Sequence, residues 1–483
     1  MSDEQQAKRD KLATYLYPLP NLGASGSQAF FSSYQSMLLT DIYMLPVVMA
    51  GVLQTLRSIL GWVFGPLFGV FLDRVSGKPG RFWKIYLIGS VITTGANALV
   101  FILPSMSEDP SKLALPIFLL SILMAIFGSF GGAVRQTIFP RIATEPRIRS
   151  YLAVGTKLGR DGGKTAWGLI VPPLLTYFTA VGGSDAAGWA YMAYVIGGFG
   201  IAISIIYAFV LARSSVDMGD IQIASKPKKK QVPLSVVLKT LLSNKSLLGL
   251  FVCFTIHKTY YFFQVLTASY YFRYVIGDLG KLGFFMTAFN LSAVAGSFFG
   301  GTIWIRIWKD SKRAFVASGA MHVIFLAVLT MVIKSASVTV FLLLVALASF
   351  FAGSLEAYLL PMFAAAADWH AWKTGERSDG ITMAVNGLTV RCASTFSTII
   401  RTALLAGAGY DAAAYAQGAA PSEAVLGLLR NFQGLYPMLM GIVAFGIIQI
   451  LYTLTDKKLA VIQEEIKAGR VGEARNEDVV ASA

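Results

Sequence analysis

The chain has 483 residues, 55% of them hydrophobic and only 14% charged, with a formal net charge of +15. Soluble globular proteins carry roughly 25% charged residues, so this composition excludes a water-soluble enzyme. Its two cysteines, Cys253 and Cys392, both lie inside apolar runs and give no disulfide framework or metal site.

The apolar residues fall into runs of about 20, the length a helix needs to cross a bilayer at about 1.5 Å per residue. The first 20 residues are polar and the first apolar run is a full span, so no cleavable signal peptide is expected. Twelve helices are predicted: 26–47, 49–72, 83–104, 115–139, 151–179 and 188–212, then 246–271, 282–305, 314–334, 337–365, 380–407 and 433–454. An even number puts both ends of the chain on one side.

The loops on that side hold Arg74, Lys78, Arg81 and Lys84, then Arg141, Arg147 and Arg149, then Lys226 and Lys228 to Lys230. Lys309, Lys312, Arg313, Lys373 and Arg377 follow, with Lys457, Lys458, Lys467 and Arg470 in the tail, while the opposite loops offer little beyond Lys112, Arg273, Lys281, Lys334 and Arg430. Basic loops stay in the cytoplasm, so both termini are expected there. The surplus charge is therefore topology. Lys228 to Lys230 read as an orienting or lipid-headgroup patch in contact with the bilayer, and no nucleic-acid partner is expected.

The longest polar connection, 213–245, is rich in Lys, Ser and Pro and falls midway. It divides the chain into a cytoplasmic tail (1–25), a six-helix bundle (26–212), a cytoplasmic linker (213–245), a second six-helix bundle (246–454) and a second cytoplasmic tail (455–483). An echo supports the division. Gly65-Pro66-Leu67-Phe68-Gly69 leads through a basic turn to Arg81, and Gly296-Ser297-Phe298-Phe299-Gly300 leads through another to Arg313. Small residues at such points let helices approach closely.

Polar residues inside spans are costly and usually line a cavity. The first span has Gln28, Gln35 and Asp41, the second Gln54 and Arg57, the fourth Arg135 and Gln136. The fifth has Lys157, Arg160, Asp161 and Lys164, spaced to share one helical face. The seventh has His257, Lys258, Tyr260, Tyr261 and Gln264; later spans add Asn290, Glu356, Asn386, Arg391 and Arg401.

The basic members, Arg57, Arg135, Lys157, Arg160, Lys164, Lys258, Arg391 and Arg401, outnumber Asp41, Asp161 and Glu356. An uncompensated cation in hydrocarbon costs several kcal/mol, which favours an acidic or strongly hydrogen-bonding substrate. Aromatic and amide neighbours suit a carbohydrate, whose ring faces are apolar and whose hydroxyls need polar partners. His257 and His322 read as hydrogen-bonded packing residues, Trp62 and Trp167 as interface or packing residues. Glu356, with no cation near it in sequence, is the best acidic candidate, either protonatable or paired with a cation on another helix.

These segments together resemble the glycoside–pentoside–hexuronide:cation symporters, the melibiose permease family of the major facilitator superfamily. The resemblance rests on Thr40-Asp41, on Gly65-Pro66 through Arg81-Phe82-Trp83-Lys84, on Pro140-Arg141-Ile142 through Arg149, and on Tyr270-Tyr271 with Tyr274-Val275-Ile276-Gly277-Asp278. The most specific stretch is Asp368-Trp369-His370-Ala371-Trp372-Lys373-Thr374-Gly375-Glu376-Arg377-Ser378-Asp379-Gly380, and Gly409-Tyr410 is similar to the family's close of the eleventh helix.

The resemblance implies an all-α integral membrane protein of the major facilitator fold, twelve transmembrane helices in two six-helix bundles. The family's sugar-contacting Arg of the fifth helix falls on Lys157 and the Lys of the eleventh on Arg391, with an amide a turn earlier at Asn386. The carboxylate that grips sugar hydroxyls from the fourth helix falls on Gly132, the nearby Trp on Gln136, and the first-helix Asp near Ser25. The sodium ligands before Pro66 fall on Gly61, Phe64 and Gly65, so sodium coupling through that site is not expected. Kept cations and lost carboxylates together fit an acidic sugar better than a neutral galactoside.

The expectation is a secondary active transporter of a glycoside, sugar or sugar acid, working by alternating access as a monomer in the cell inner membrane, and not an enzyme. The expected substrate-binding residues are Gln28, Arg135, Gln136, Lys157, Arg160, Asp161, Lys258, Asn386 and Arg391. Glu356 or Asp161 would couple transport to a proton in preference to sodium; no cofactor or metal is expected. The alternatives are an uncoupled sugar facilitator, a transporter of lysolipid or another amphiphile with the same fold, and a non-transporting sensor.

Overall fold

A computed structural model of the chain describes residues 3–75, 81–107, 109–142, 148, 152, 155–156, 158–214, 234–375 and 379–472. The described elements are helices of α, π and 3-10 type. Eight are long and apolar enough to cross a membrane: Phe82–Met106, Ala114–Gly132, Leu158–Gly182, Asp185–Ala212, Leu279–Trp308, Ser311–Val332, Val338–Thr374 and Glu423–Leu451. The four remaining predicted spans are helical too. The first is built as Leu19–Ser27, Gln28–Ser32, Ser33–Met37 and Leu38–Ile42, with π turns as the second and fourth pieces. The others are Val47–Val75, Lys245–Tyr270 and Asp379–Gly407.

Local chemistry sets the helix ends. The fifth and sixth predicted spans are parted by Gly183, whose φ of 69° suits a residue without Cβ, and by Ser184, whose hydroxyl accepts the Ala187 N–H at 3.2 Å. Asp310 caps Ser311–Val332 by accepting the Arg313 N–H at 2.9 Å. The tenth span runs nine residues beyond its predicted end, to Thr374, and is closed by left-handed Gly375 at φ 77°. Its Pro361 lies inside the helix and did not stop it.

By contact the chain forms two compact units. The first comprises Met1–Lys228, Ala268–Thr287 and Thr398–Leu426; the second comprises Lys229–Thr267, Ala288–Ser397 and Gly427–Ala483.

In the first unit, Phe82–Ile102 packs on both Asp185–Ala212 and Ala114–Ile142. Phe30, Tyr34, Phe101 and Trp189 form a buried aromatic core, with Phe101 and Trp189 stacked at 5.7 Å and Tyr34 edge-on to the indole. The same unit holds a buried carboxylate. Asp41 accepts hydrogen bonds from Thr40 at 2.7 Å, Tyr274 at 2.6 Å and Tyr410 at 2.5 Å, and Arg273 Nε lies 3.8 Å away. Arg273 also pairs with Asp185 at 3.0 Å. Tyr410 lies past the end of Asp379–Gly407; burial, and then the Asp41 charge, push its phenol well above its ordinary pKa, so it remains a donor.

In the second unit, Ser311–Val332 packs on Val338–Thr374 and on Leu435–Leu451 around Phe254, Phe315, Phe363 and Phe445. Gly296 and Gly353 mark a backbone-to-backbone crossing, since a Cβ on either would strike the carbonyl of Phe350 or of Ala293. Gly296 and Gly300 thus do what the echo motif predicted of them, Gly300 resting on Ser354. The matching Gly65 and Gly69 lie outside the described side chains.

Candidate functional site

A cavity of about 350 Å³ opens inside the first unit. Its walls come from the start of the first predicted span (Gly23, Ser27, Gln28), from Arg57, from Tyr86 to Asn97, from Phe127 to Arg135, and from Gly200 and Ser204. The space exists because the facing positions are small: a Cβ on Gly132 would meet nothing within 4 Å. Polar groups are set among apolar ones, with Ser27, Ser90 and Thr93 offering hydroxyls and Gln28 and Asn97 offering amides.

Two guanidiniums line this cavity, and amides orient both. Arg57 donates from Nη1 to Gln35 Oε1 at 3.0 Å and from Nη2 to Asn97 Oδ1 at 3.4 Å. Asn97 is itself fixed by its Nδ2 donating to the Thr93 carbonyl at 2.8 Å. Arg135 donates from Nη1 to Asn21 Oδ1 at 2.6 Å, while its carbonyl accepts the Tyr17 hydroxyl at 2.9 Å. Among the described residues no Asp or Glu lines the cavity. Amide oxygens satisfy donors without cancelling charge, so the chamber keeps a positive field suited to an anionic or hydroxyl-rich small molecule.

The family model described as "MFS/sugar transport protein" matches residues 16–456. The chain belongs to this family. An uncharacterised symporter of Bacillus subtilis (strain 168), YjmB, is 24% identical over 92% of this chain and 93% of its own length. The lactose permease of Lactobacillus delbrueckii subsp. bulgaricus is 24% identical over 83% of this chain and 63% of its own length. A bacterial homologue of the human lysosomal transporter Spinster, solved in an inward-facing, unoccupied conformation, shares the fold with a TM-score of 0.68 at 13% identity, over 94% of this chain and 98% of that one. This is accordingly a multi-pass membrane protein of the sugar-transport branch of the major facilitator superfamily, and a transporter rather than an enzyme.

The transporter's predicted site residues separate in the structure. Gln28 and Arg135 line the cavity. The side chain of Gln136 and the whole of Lys157 lie outside the described residues. Arg160 and Asp161 sit on the π turn Leu158–Gly162, and Arg160 donates from Nε to Asp161 Oδ1 at 2.9 Å with its side chain 55% exposed. Asp161 thus pairs with its own neighbour on a π turn, and neither residue lines the cavity.

In the second unit, Lys258 forms an ion pair with Glu356, so the lysine expected to meet substrate is held by the acid expected to carry a proton. His257 Nδ1 and the Tyr260 hydroxyl lie 2.5 Å apart, and His322 Nδ1 donates to the Ala348 carbonyl at 2.7 Å. Both histidines are buried and packed against aromatic rings, as their packing reading predicted. Asn386 is half-buried and Arg391 is exposed.

Arg57 and its Gln35–Asn97 cradle were missing from the predicted site. Arg57 was legible as a buried cation in the second span, but nothing in its sequence neighbourhood separates it from Arg401. That residue is buried elsewhere in the unit and donates to Gln54 at 3.0 Å.

Proposed function

We propose that this chain is a secondary active transporter that moves a glycoside, sugar or sugar acid by alternating access, with an anionic sugar as the preferred cargo. The reading has twelve spans in two six-helix bundles, 26–212 and 246–454, joined by the cytoplasmic linker 213–245, with the tails 1–25 and 455–483 also cytoplasmic. It places a monomer in the bacterial inner membrane, in keeping with the basic residues gathered in alternate loops. The observation that carries the substrate reading is the polar cavity in the first unit, lined by Arg57 and Arg135 and, among the described residues, by no carboxylate. A relative named lactose permease supports a carbohydrate as the cargo.

Gln28 and Arg135 are the first members of the proposed site. Gln136, Lys157, Arg160, Asp161, Lys258, Asn386 and Arg391 complete the proposed set. Coupling is to a proton rather than sodium, first through Glu356 and second through Asp161, and the alternative is uncoupled facilitation. A proton on Glu356 would cancel the charge that holds Lys258 and release a cation for an anionic cargo, which links proton and substrate binding.

The test is uptake into proteoliposomes. An imposed inward proton gradient should drive accumulation of glucuronate or galacturonate, and Glu356→Gln should abolish accumulation while leaving exchange between internal and external sugar intact. Uptake that ignores the gradient, together with a fully active Glu356→Gln, overturns proton coupling. Failure to take up any sugar or sugar acid overturns the transport reading itself.

A further inference from the structure

Arg57 is ten residues into Val47–Val75, about 15 Å along a helix rising about 1.5 Å per residue, which is half the thickness of a bilayer core of about 30 Å. Arg135, by contrast, is seven residues from the end of Ala114–Ile142 and meets the N-terminal segment through Tyr17, within reach of an interface to which its head could snorkel. The two cations also mark different levels of one helix. Arg57 bonds Asn97, whereas Tyr86, eleven residues earlier and so about 16 Å away, lines the cavity with Arg135. The chamber is elongated, with a cation toward each end.

We propose that Arg57 sets the charge specificity of the transporter, its guanidinium taking the oxyanion of a sugar that carries a carboxylate or phosphate group. The proposal rests on the sugar-transport reading and adds to it the residue that recognises charge. Gln35 and Asn97 occupy two of the five guanidinium N–H donors, at 3.0 and 3.4 Å, and both partners are neutral. They hold the group in place without compensating it. A half-buried cation midway along a membrane helix is stabilised by an anion, and among the described residues lining the cavity the protein supplies none. Gly132, also lining the cavity, leaves open space, since a Cβ there would meet nothing within 4 Å. Ser27, Ser90 and Thr93 stand ready for sugar hydroxyls, and a volume of about 350 Å³ admits a monosaccharide.

The experiment measures ligand-induced thermal stabilisation and equilibrium binding on the purified full-length transporter. The acidic probes are glucuronate, galacturonate, gluconate and glucose 6-phosphate; the neutral probes are glucose, galactose and melibiose. At least one acid should bind the wild type better than its neutral counterpart, and Arg57→Gln should weaken that acid about ten- to a hundredfold, the range of a charge-assisted hydrogen bond, while hardly moving neutral probes. Arg57→Lys should recover part of the preference, and it decides the matter alone if Arg57→Gln fails to fold. Carboxylates binding without the phosphate, or the reverse, identifies the source of the oxyanion.

Undiminished acid preference in both variants overturns the assignment, as does loss of that preference in Arg135→Gln alone. Neutral sugars binding in preference to every acid removes the role of Arg57 and leaves sugar transport standing. No probe binding, with no uptake of any of them into proteoliposomes, removes both.

Discussion

Around Asp41, one buried carboxylate is met by Thr40, Tyr274, Tyr410 and the nearby Arg273; around the cavity of the same unit, two guanidiniums donate, among the described residues, to amides. The first arrangement meets its charge with three hydroxyl donors and a nearby cation, which is how a protein makes a buried ion part of its framework. The second orients its charges and leaves them uncancelled, which is of use only if something else arrives to cancel them. Ionic side chains of one unit thus differ in whether the protein itself compensates them.

The comparison breaks most readily at Asp41. Asp41→Ala removes the acceptor of several donors and should destabilise the detergent-solubilised protein by about 3–5 kcal/mol, read as a fall in unfolding temperature. A change within experimental error would show that the cluster is not framework. Tyr410→Phe deletes one hydrogen bond to the carboxylate and should cost about 1.5–3 kcal/mol in the same assay. Gly132→Asp adds the missing acid where a Cβ meets nothing within 4 Å. It should leave folding intact and weaken acidic ligands roughly tenfold by competing for the cavity's cations. The smallest effect on stability belongs to Arg57→Gln. Removing a cation that has no carboxylate partner should cost no stability and, if anything, raise it, whatever it does to binding. A loss as large as that of Asp41→Ala would place Arg57 with the framework.

Much of the helix layout was legible because the cost of leaving a backbone unpaired in hydrocarbon forces long apolar helices, and their lengths are written in composition. The predicted limits 83–104 and 188–212 fall close to the observed Phe82–Ile102 and Asp185–Ala212. The tenth span was misjudged because its polar extension through Asp368 to Thr374 continues the same helix beyond the apolar run. The first and fifth spans contain π turns, which carry no hydrophobic signature. Within the site, Gln28 and Arg135 were found by asking which polar residues lie in spans. Arg57 could not be singled out that way, because its distinction lies in facing Gln35 and Asn97 rather than an acid.

Composition and the spacing of apolar runs were enough to establish a polytopic helical membrane protein with more buried cations than acids, because hydropathy and charge belong to residues one at a time. Which cations remain uncompensated was decided by tertiary structure alone. Lys258 and Glu356 are 98 residues apart and neutralise one another, whereas Arg57 meets two amides from other helices and opens onto a cavity. Pairing is a property of faces brought together by packing, and no count of charges along a chain contains it.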